Sequence, residues 1–385
     1  MTFQNSLLTA AILASTLGLA ACDGDDGDDG STGSPGTSQT LIELNTLGTY
    51  ASGAFDEGAA EIVAHDPANQ RLFVINANDS VDVLDIQDPE MPVKLSTIDA
   101  TAEGASANSV AVYGDLVAVA IEANVKQDNG KVVFYNSTDL NKVGEVEAGA
   151  LPDMLTFTRD GHKLLVANEG EPSDDYSVDP EGSVSIVDLS NGVAAATVTT
   201  AGFASFNGQL AELMEQGLRV FGPGATLAQD LEPEYIAISI DGEKAWVAMQ
   251  EANAVAELDI AAGEITAIIP LGFKDHSIIG NELDASNDDS GINIRNWPVK
   301  GIYHPDAMTS YGFNGKTYYI TANEGDSRDY DGFSEEFRVA DLTLDAMAFP
   351  NAAELQEDAN LGRLNVTSTL GFGNSCAPSD PANVI

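Results

Sequence analysis

EIVAHDPANQRLFVINANDSVDVLDI, residues 61–86, sets out an acidic residue, a short apolar strand, a turn, a second strand ending near Asn, and a third strand of alternating character. The same order returns as SVAVYGDLVAVAIEANVKQDNGKVVFYN from Ser109, and as DMLTFTRDGHKLLVANEG from Asp153 with GSVSIVDL at 182–189. It returns again as EYIAISIDGEKAWVAMQEANAVAELDI from Glu234 and in part as DAMTSYGFNGKTYYITANEG from Asp306. Asp-Gly at 160–161 and 241–242 and Asn-Gly at 314–315 fall between first and second strands, where a tight hairpin needs them. Third strands alternate Val or Ile with small or polar residues, as half-buried antiparallel strands do. A fourth strand such as KLSTIDA, 94–100, completes a unit.

Self-similarity at this spacing is the mark of a β-propeller, in which each blade is one four-stranded antiparallel unit that buries its faces only against its neighbours. The fold class read from the repeats is therefore all-β, a propeller with about five blades visible. Two longer spacings carry insertions. NGQLAELMEQG, 207–217, has apolar residues at helical spacing after Asn207, which predicts a short helix with an Asn cap. Residues 272–300 are polar and predict a long loop, and FGPGA at 221–225 reads as a turn.

The chain of 385 residues carries 16 Lys and Arg against 61 Asp and Glu, a formal net charge of −45. A surface that must neutralise phosphates needs a basic stripe, so nucleic acid is excluded as a partner. Hydrophobic residues at 43% are enough to build a core despite that charge. The acidic field favours divalent cations and cationic ligands.

Leu7 to Ala21 is apolar or small and ends in Leu19-Ala20-Ala21-Cys22, which resembles a bacterial lipobox with Cys22 as the lipidated residue. Met1 to Asn5 lacks the basic residues such a signal ordinarily carries. Residues 1–22 are thus read as a signal peptide and 23–40, rich in Gly, Asp and Ser, as a disordered tether. The tether lacks the Glu that would close an EF-hand loop. With Cys22 lipidated, Cys376 has no partner, and no intrachain disulfide is expected. The expected location is the periplasm or cell surface, with the membrane reached only through the lipid anchor.

Acids recur at two places in the repeat. Glu61, Asp153, Glu234 and Asp306 open first strands, while Glu122, Glu169, Glu251 and Glu324 close second strands. In a blade these places lie on one face, so the carboxylates should converge at the mouth of the central pore. Hard oxygen donors gathered this way suit calcium. Asp326, Asp329 and Asp331 could add ligands, as could Asp174, Asp175 and Asp179 in the corresponding earlier insert. The alternative is structural, with the strand acids accepting backbone hydrogen bonds and the loop acids solvated. Arg295 and Arg328 stand near the acidic rim, either to grip an anionic substrate or, as favoured, to pair with carboxylates and pin their loops. Of the four histidines, His65 carries no role, His162 follows an Asp-Gly turn, and His276 and His304 lie in inserts as weak catalytic candidates. No nucleophile elbow, P-loop or dinucleotide fingerprint is present.

The stretches LVANEGEPSDDYSVDPEGSVSIVDLS (165–190), FGPGATLAQDLEPEYIAIS (221–239), IIPLGFKDHS (268–277), GINIRNWPVKGIYHPDAM (291–308) and TANEGDSRDYDGFSEEFRVADLTLD (321–345) resemble the choice-of-anchor I domain. That family consists of exported YVTN-type propellers and includes proteins labelled mesenchyme-specific cell-surface glycoprotein-like or alkaline phosphatase. The resemblance covers about residues 41–372. It implies an exported recognition or adhesion-type module and, as the alternative, a calcium-dependent phosphoesterase of alkaline phosphatase or phytase type. In the latter the arginines would hold phosphate while a metal-polarised water attacks. After LGRLNVTSTLGFG the family continues into further blades, whereas residues 373–385 form an atypical tail. The expectation is a domain truncated from seven blades and more prone to aggregate than a full-length relative.

Overall fold

The computed structural model describes residues 43–55 and 60–371. The signal peptide and tether, Cys22, Cys376 and the 373–385 tail lie outside the described residues. All the strands lie between Val63 and Thr367.

Sixteen strands in chain order make four antiparallel sheets. Blade 1 is β1 (Val63–Asp66), β2 (Arg71–Ile75), β3 (Val81–Asp85) and β4 (Val93–Ile98). Blade 2 is β5 (Ala107–Tyr113), β6 (Leu116–Ile121), β7 (Asn129–Asn136) and β8 (Lys142–Ala150). Blade 3 is β9 (Pro152–Phe157), β10 (Lys163–Asn168), β11 (Ser183–Asp188) and β12 (Thr197–Gly202). Blade 4 is β13 (Tyr235–Ile238), β14 (Lys244–Met249), β15 (Ala254–Asp259) and β16 (Glu264–Pro270). Each strand pairs with the next in sequence. After β17 (Phe273–Asp275) and β18 (Lys300–Ile302), the fifth repeat is a two-stranded hairpin of β19 (Pro305–Phe313) and β20 (Lys316–Asn323). Short pairs follow: β21 (Asp329–Tyr330) with β22 (Phe333–Ser334), and β23 (Glu336–Arg338) with β24 (Asn365–Thr367).

Strands β1, β5, β9, β13 and β19 stand side by side in that order. The apolar cores lie between successive blades. Phe73, Val83, Val119 and Val133 join blades 1 and 2, and Ala118, Phe134, Leu164 and Val187 join blades 2 and 3. Leu165, Ile186, Val247 and Leu258 join blades 3 and 4, and Ala248 with Met308 and Tyr319 carries the stack to β19 and β20. A middle strand is covered on both faces, which is why β6 reads LVAVAI without a polar interruption. An outer strand is covered on neither, and β4 and β12 are mostly exposed. This is a β-propeller.

The turns follow the sequence chemistry. Asn314 and Gly315 both take positive φ, 51° and 73°, and join Phe313 to Lys316 in a two-residue loop of the type that matches strand twist. The insertion between β12 and β13 contains the expected helix, α1 (Leu210–Glu215), with Leu213 packed into the core between blades 3 and 4. Asn207 does not cap it: residues 204–209 form a 3-10 turn, and the Asn207 carboxamide oxygen instead accepts from Ala228 N–H at 3.0 Å. A further helical turn, α2 (Leu227–Asp230), is closed by a Thr226–Gln229 capping box. The 272–300 segment is more than a polar loop. Its Trp297 is buried with Val339, Leu355 and Leu361, making a satellite core with the last part of the chain. Helix α3 (Ala352–Leu355) supplies part of that core.

Candidate functional site

The blade geometry brings the repeated acids together. Asp153 lies in β9 and Asp306 in β19, Glu61 and Glu234 stand just before β1 and β13, and Glu122, Glu169, Glu251 and Glu324 just follow β6, β10, β14 and β20. Glu61 and Asp153 line one polar cleft of about 390 Å³ together with Asn76, Asp79, Ser106 and Asn108. Blade 2 has Asn108 where other blades carry the first-strand acid, and blade 1 has Asn76 where others carry the second-strand acid.

Proximity shows in the acidities. Burial, reinforced by repulsion from Glu171, Asp306 and Glu61, pushes Asp153 up to about 7. Burial and then the charges of Glu251, Asp306, Asp153 and Glu324 push Glu234 up to about 9. Glu169 is raised well above the usual carboxylate range, first by burial and then by Asp153, Glu171, Glu234 and Glu251. Burial also raises Glu251, against the opposing pull of Arg328. Burial raises Glu122 too, with Lys126 pulling the other way. Acids from four blades therefore feel one another across a single mouth, and each would give up repulsion on meeting a positive charge. Glu234 Oε2 is buried without a hydrogen-bond partner among the described residues.

Lys126 brings an ammonium into this neighbourhood, ion-paired with Glu171. Among the described residues no three His, Cys, Asp or Glu side chains are gathered closely enough to hold a metal ion. The donor set is all carboxylate oxygen, the chemistry calcium prefers, so direct ligation would require these side chains to draw inward.

Sequence reasoning placed two arginines at the rim; the structure separates them. Arg328 is 2% exposed, and its guanidinium is committed to Asp230 Oδ1 at 2.6 Å, Asp230 O at 2.9 Å and Glu232 Oε2 at 2.8 Å. It pins its loop and is closed to a phosphate. Arg295 is exposed, stacks 3.8 Å over the Trp297 ring and donates to the Asn360 side chain, so its partners are an indole and an amide and not the expected carboxylate. His304 is buried, with Nε2 2.6 Å from Arg219 Nη1. Burial and that cation push it down to about 4, so it stays neutral and accepts the arginine's proton donor. His276 is buried in the other insert, where Nδ1 lies 2.7 Å from Asn281 O. The two histidines thus serve different local networks. Of the loop acids, Asp326 adds to the repulsion on Glu251, whereas Asp329 and Asp331 are exposed and Asp174 and Asp175 belong to the loop surface. Asp179, between them and the mouth, is raised to about 6 by burial and by Asp230.

Several functional neighbours escaped the sequence reading. Arg219, 1% exposed, donates to Glu251 O at 2.9 Å and pairs with buried Glu335, which also accepts from Thr367. Phe221 lies between the two arginines, 4.5 Å from Arg219 and 4.8 Å from Arg328 at their guanidinium carbons. The FGPGA turn proves to be an anion cradle for the chain's own carboxylate: Phe221 and Gly222 N–H both donate to Asp230.

The model of the choice-of-anchor I domain matches residues 61–377. This chain belongs to the choice-of-anchor I family. No curated protein matches it. Membership makes it an exported or cell-surface module of the propeller type, and nothing in the family or the fold assigns it a catalytic activity. No helix among the described residues is long and apolar enough to cross a membrane. Among solved structures it is similar to a functionally unknown protein from Desulfotomaculum acetoxidans, 13% identical with a TM-score of 0.38, covering 54% of this chain and 56% of that one. It is similar also to the Cps50 (Swd1) β-propeller domain of Myceliophteria thermophila, at 13% identity and a TM-score of 0.36, covering 57% of each chain. A nidogen/laminin complex is 14% identical with a TM-score of 0.35, covering 56% and 65%. The choice-of-anchor I chain spans less than two thirds of each of these.

Proposed function

We propose that this choice-of-anchor I propeller is a recognition module of the exported face of the cell whose acidic mouth takes up a divalent cation, calcium by the chemistry of its donors. The observation that carries the reading is the crowding of Asp153, Glu169, Glu234 and Glu251 from two successive blades, with Glu234 Oε2 unpartnered among the described residues. Burial and mutual repulsion make carboxylates so placed hold their protons more tightly than free ones, and a cation would replace those protons. The bound ion would stiffen the mouth and present the surrounding loops to a cell-surface or extracellular ligand. Lipidation at Cys22 would tether the module to the membrane.

The phosphoesterase alternative calls for a free guanidinium at the rim, and Arg328 is spent on Asp230 and Glu232. Calorimetric titration of the full chain with calcium, followed by phosphomonoester and phytate hydrolysis on the same sample, tests both. Calcium uptake with proton release and without turnover is the expected result. Calcium-dependent turnover would move the assignment to the hydrolase, and no uptake at all would end the cation reading.

A further inference from the structure

Two inserts of corresponding position have related sequences. Ala167-Asn168-Glu169-Gly170 leads to Asp175-Tyr176 after β10, and Ala322-Asn323-Glu324-Gly325 leads to Asp329-Tyr330 after β20. They belong to blades 3 and 5, with blade 4 between them, and yet they touch. Tyr176 meets Tyr330 edge to face at 5.5 Å between ring centroids and Phe333 at 6.1 Å. Gly332 N–H donates to Asp174 O at 2.7 Å, and a Cβ at Gly332 would stand only 3.0 Å from that carbonyl oxygen. Each loop is also tied down at its base. Gln127 Nε2 donates to Pro172 O at 3.2 Å on one side, and Arg328 grips Asp230 and Glu232 on the other. Between these roots the contact consists of aromatic edges and one hydrogen bond. The Tyr176 hydroxyl is buried with no partner among the described residues.

We propose that loops 170–181 and 325–336 are the two leaves of a latch that closes over the blade 4 sector of the acidic mouth and parts to admit a ligand to Glu251. Two contacts support the placement: Arg328 pairs with Asp230 and Glu232 just before β13, and Glu335 pairs with Arg219, which also donates to Glu251 O, so the second leaf is set beside blade 4. Firm roots and a light seam are what a hinged pair of loops requires. Sequence position does not connect the leaves, so only contact can couple them.

Hydrogen exchange followed by mass spectrometry on the full chain tests the coupling. In Tyr176→Ala, exchange in 325–336 should rise about tenfold, and in Gly332→Val, exchange in 170–181 should rise similarly. Tyr176→Phe, which keeps the ring and discards only the unpartnered hydroxyl, should retain wild-type exchange in both loops. Val178→Ala, at an exposed position of the same leaf, should leave 325–336 unchanged. If Tyr176→Ala and Gly332→Val each loosen only their own loop, the latch is wrong. The readout needs no ligand, so it stands apart from whether calcium binds.

Discussion

Blades 1 to 4 and the segment from 271 to 371 are held together in opposite ways. In the four blades the middle strands are largely buried and the cores form between adjacent sheets, so strand order alone generates the packing. In the later segment sheets are two-stranded and the buried groups include Arg328, His304 and Glu335, joined by Arg219 from the insertion between β12 and β13. There the chain is fixed by charges that must find one another over long sequence separations. The first region is a repeat that tolerates local change, and the second is a network that fails when one member is missing. The lesson is that the acidic mouth is built by the repeat but positioned by the network, through Arg219 at the Glu251 carbonyl and Arg328 beside Glu232.

The sharpest way to break this contrast is to remove one cation from the network. Arg328→Ala strands Asp230 and Glu232 as buried charges and should cost about 3–5 kcal/mol, read from the urea midpoint. A loss below about 1 kcal/mol would mean the later segment is held by its apolar contacts instead.

Next in size is the pH response of the mouth. Asp153 and Glu234 have folded pKa values raised to about 7 and about 9, so the folded state holds more protons than the unfolded one from about pH 4 upward. Stability therefore falls as pH rises through that window. His304, lowered to about 4, acts in the other direction, because the unfolded chain takes the proton first once pH drops below about 6.5. Two raised carboxyls outweigh one lowered imidazole, so in chelator the melting temperature should fall continuously from about pH 5 to about pH 9, by roughly 5 °C, as thermal scans would record. A flat profile would mean the acids are not crowded.

Turn chemistry in the repeat is a smaller lever. Gly315→Ala forces a side chain into φ 73° and should cost about 1–2 kcal/mol, measurable by denaturant titration. Smaller still is Lys94→Ala, which breaks a rim ion pair with Asp82 in blade 1 and should cost about 1 kcal/mol or less. Equal losses from Lys94→Ala and Arg328→Ala would erase the distinction between the two regions.

How much of this was legible in the sequence follows the same division. The strands of blades 1 to 4, the Asp-Gly and Asn-Gly turns and the acids that open and close strands could be read from residues 61–324, because repeats state their contacts through local periodicity. The 207–217 helix was legible, but its cap was not, since Asn207 is taken by Ala228 from a later loop. Trp297 was read as part of a polar loop because its partners Val339, Leu355 and Leu361 lie far downstream. Arg328 gave no local sign of Asp230 and Glu232, whose acids sit in a different insert. The pairing of Tyr176 with Tyr330 was signalled by the shared Ala-Asn-Glu-Gly and Asp-Tyr steps, which mark equivalent places on two blades but not that the loops reach each other.

The most direct test of the account is the thermal unfolding of the full chain at pH 8 with calcium and with chelator, wild type beside Glu234→Gln. The account predicts that calcium raises the melting temperature of the wild type, that Glu234→Gln raises it in chelator by removing a carboxyl that must take up a proton to fold at this pH, and that calcium then adds less. Identical melts with and without calcium, together with a Glu234→Gln variant less stable than wild type, would contradict it.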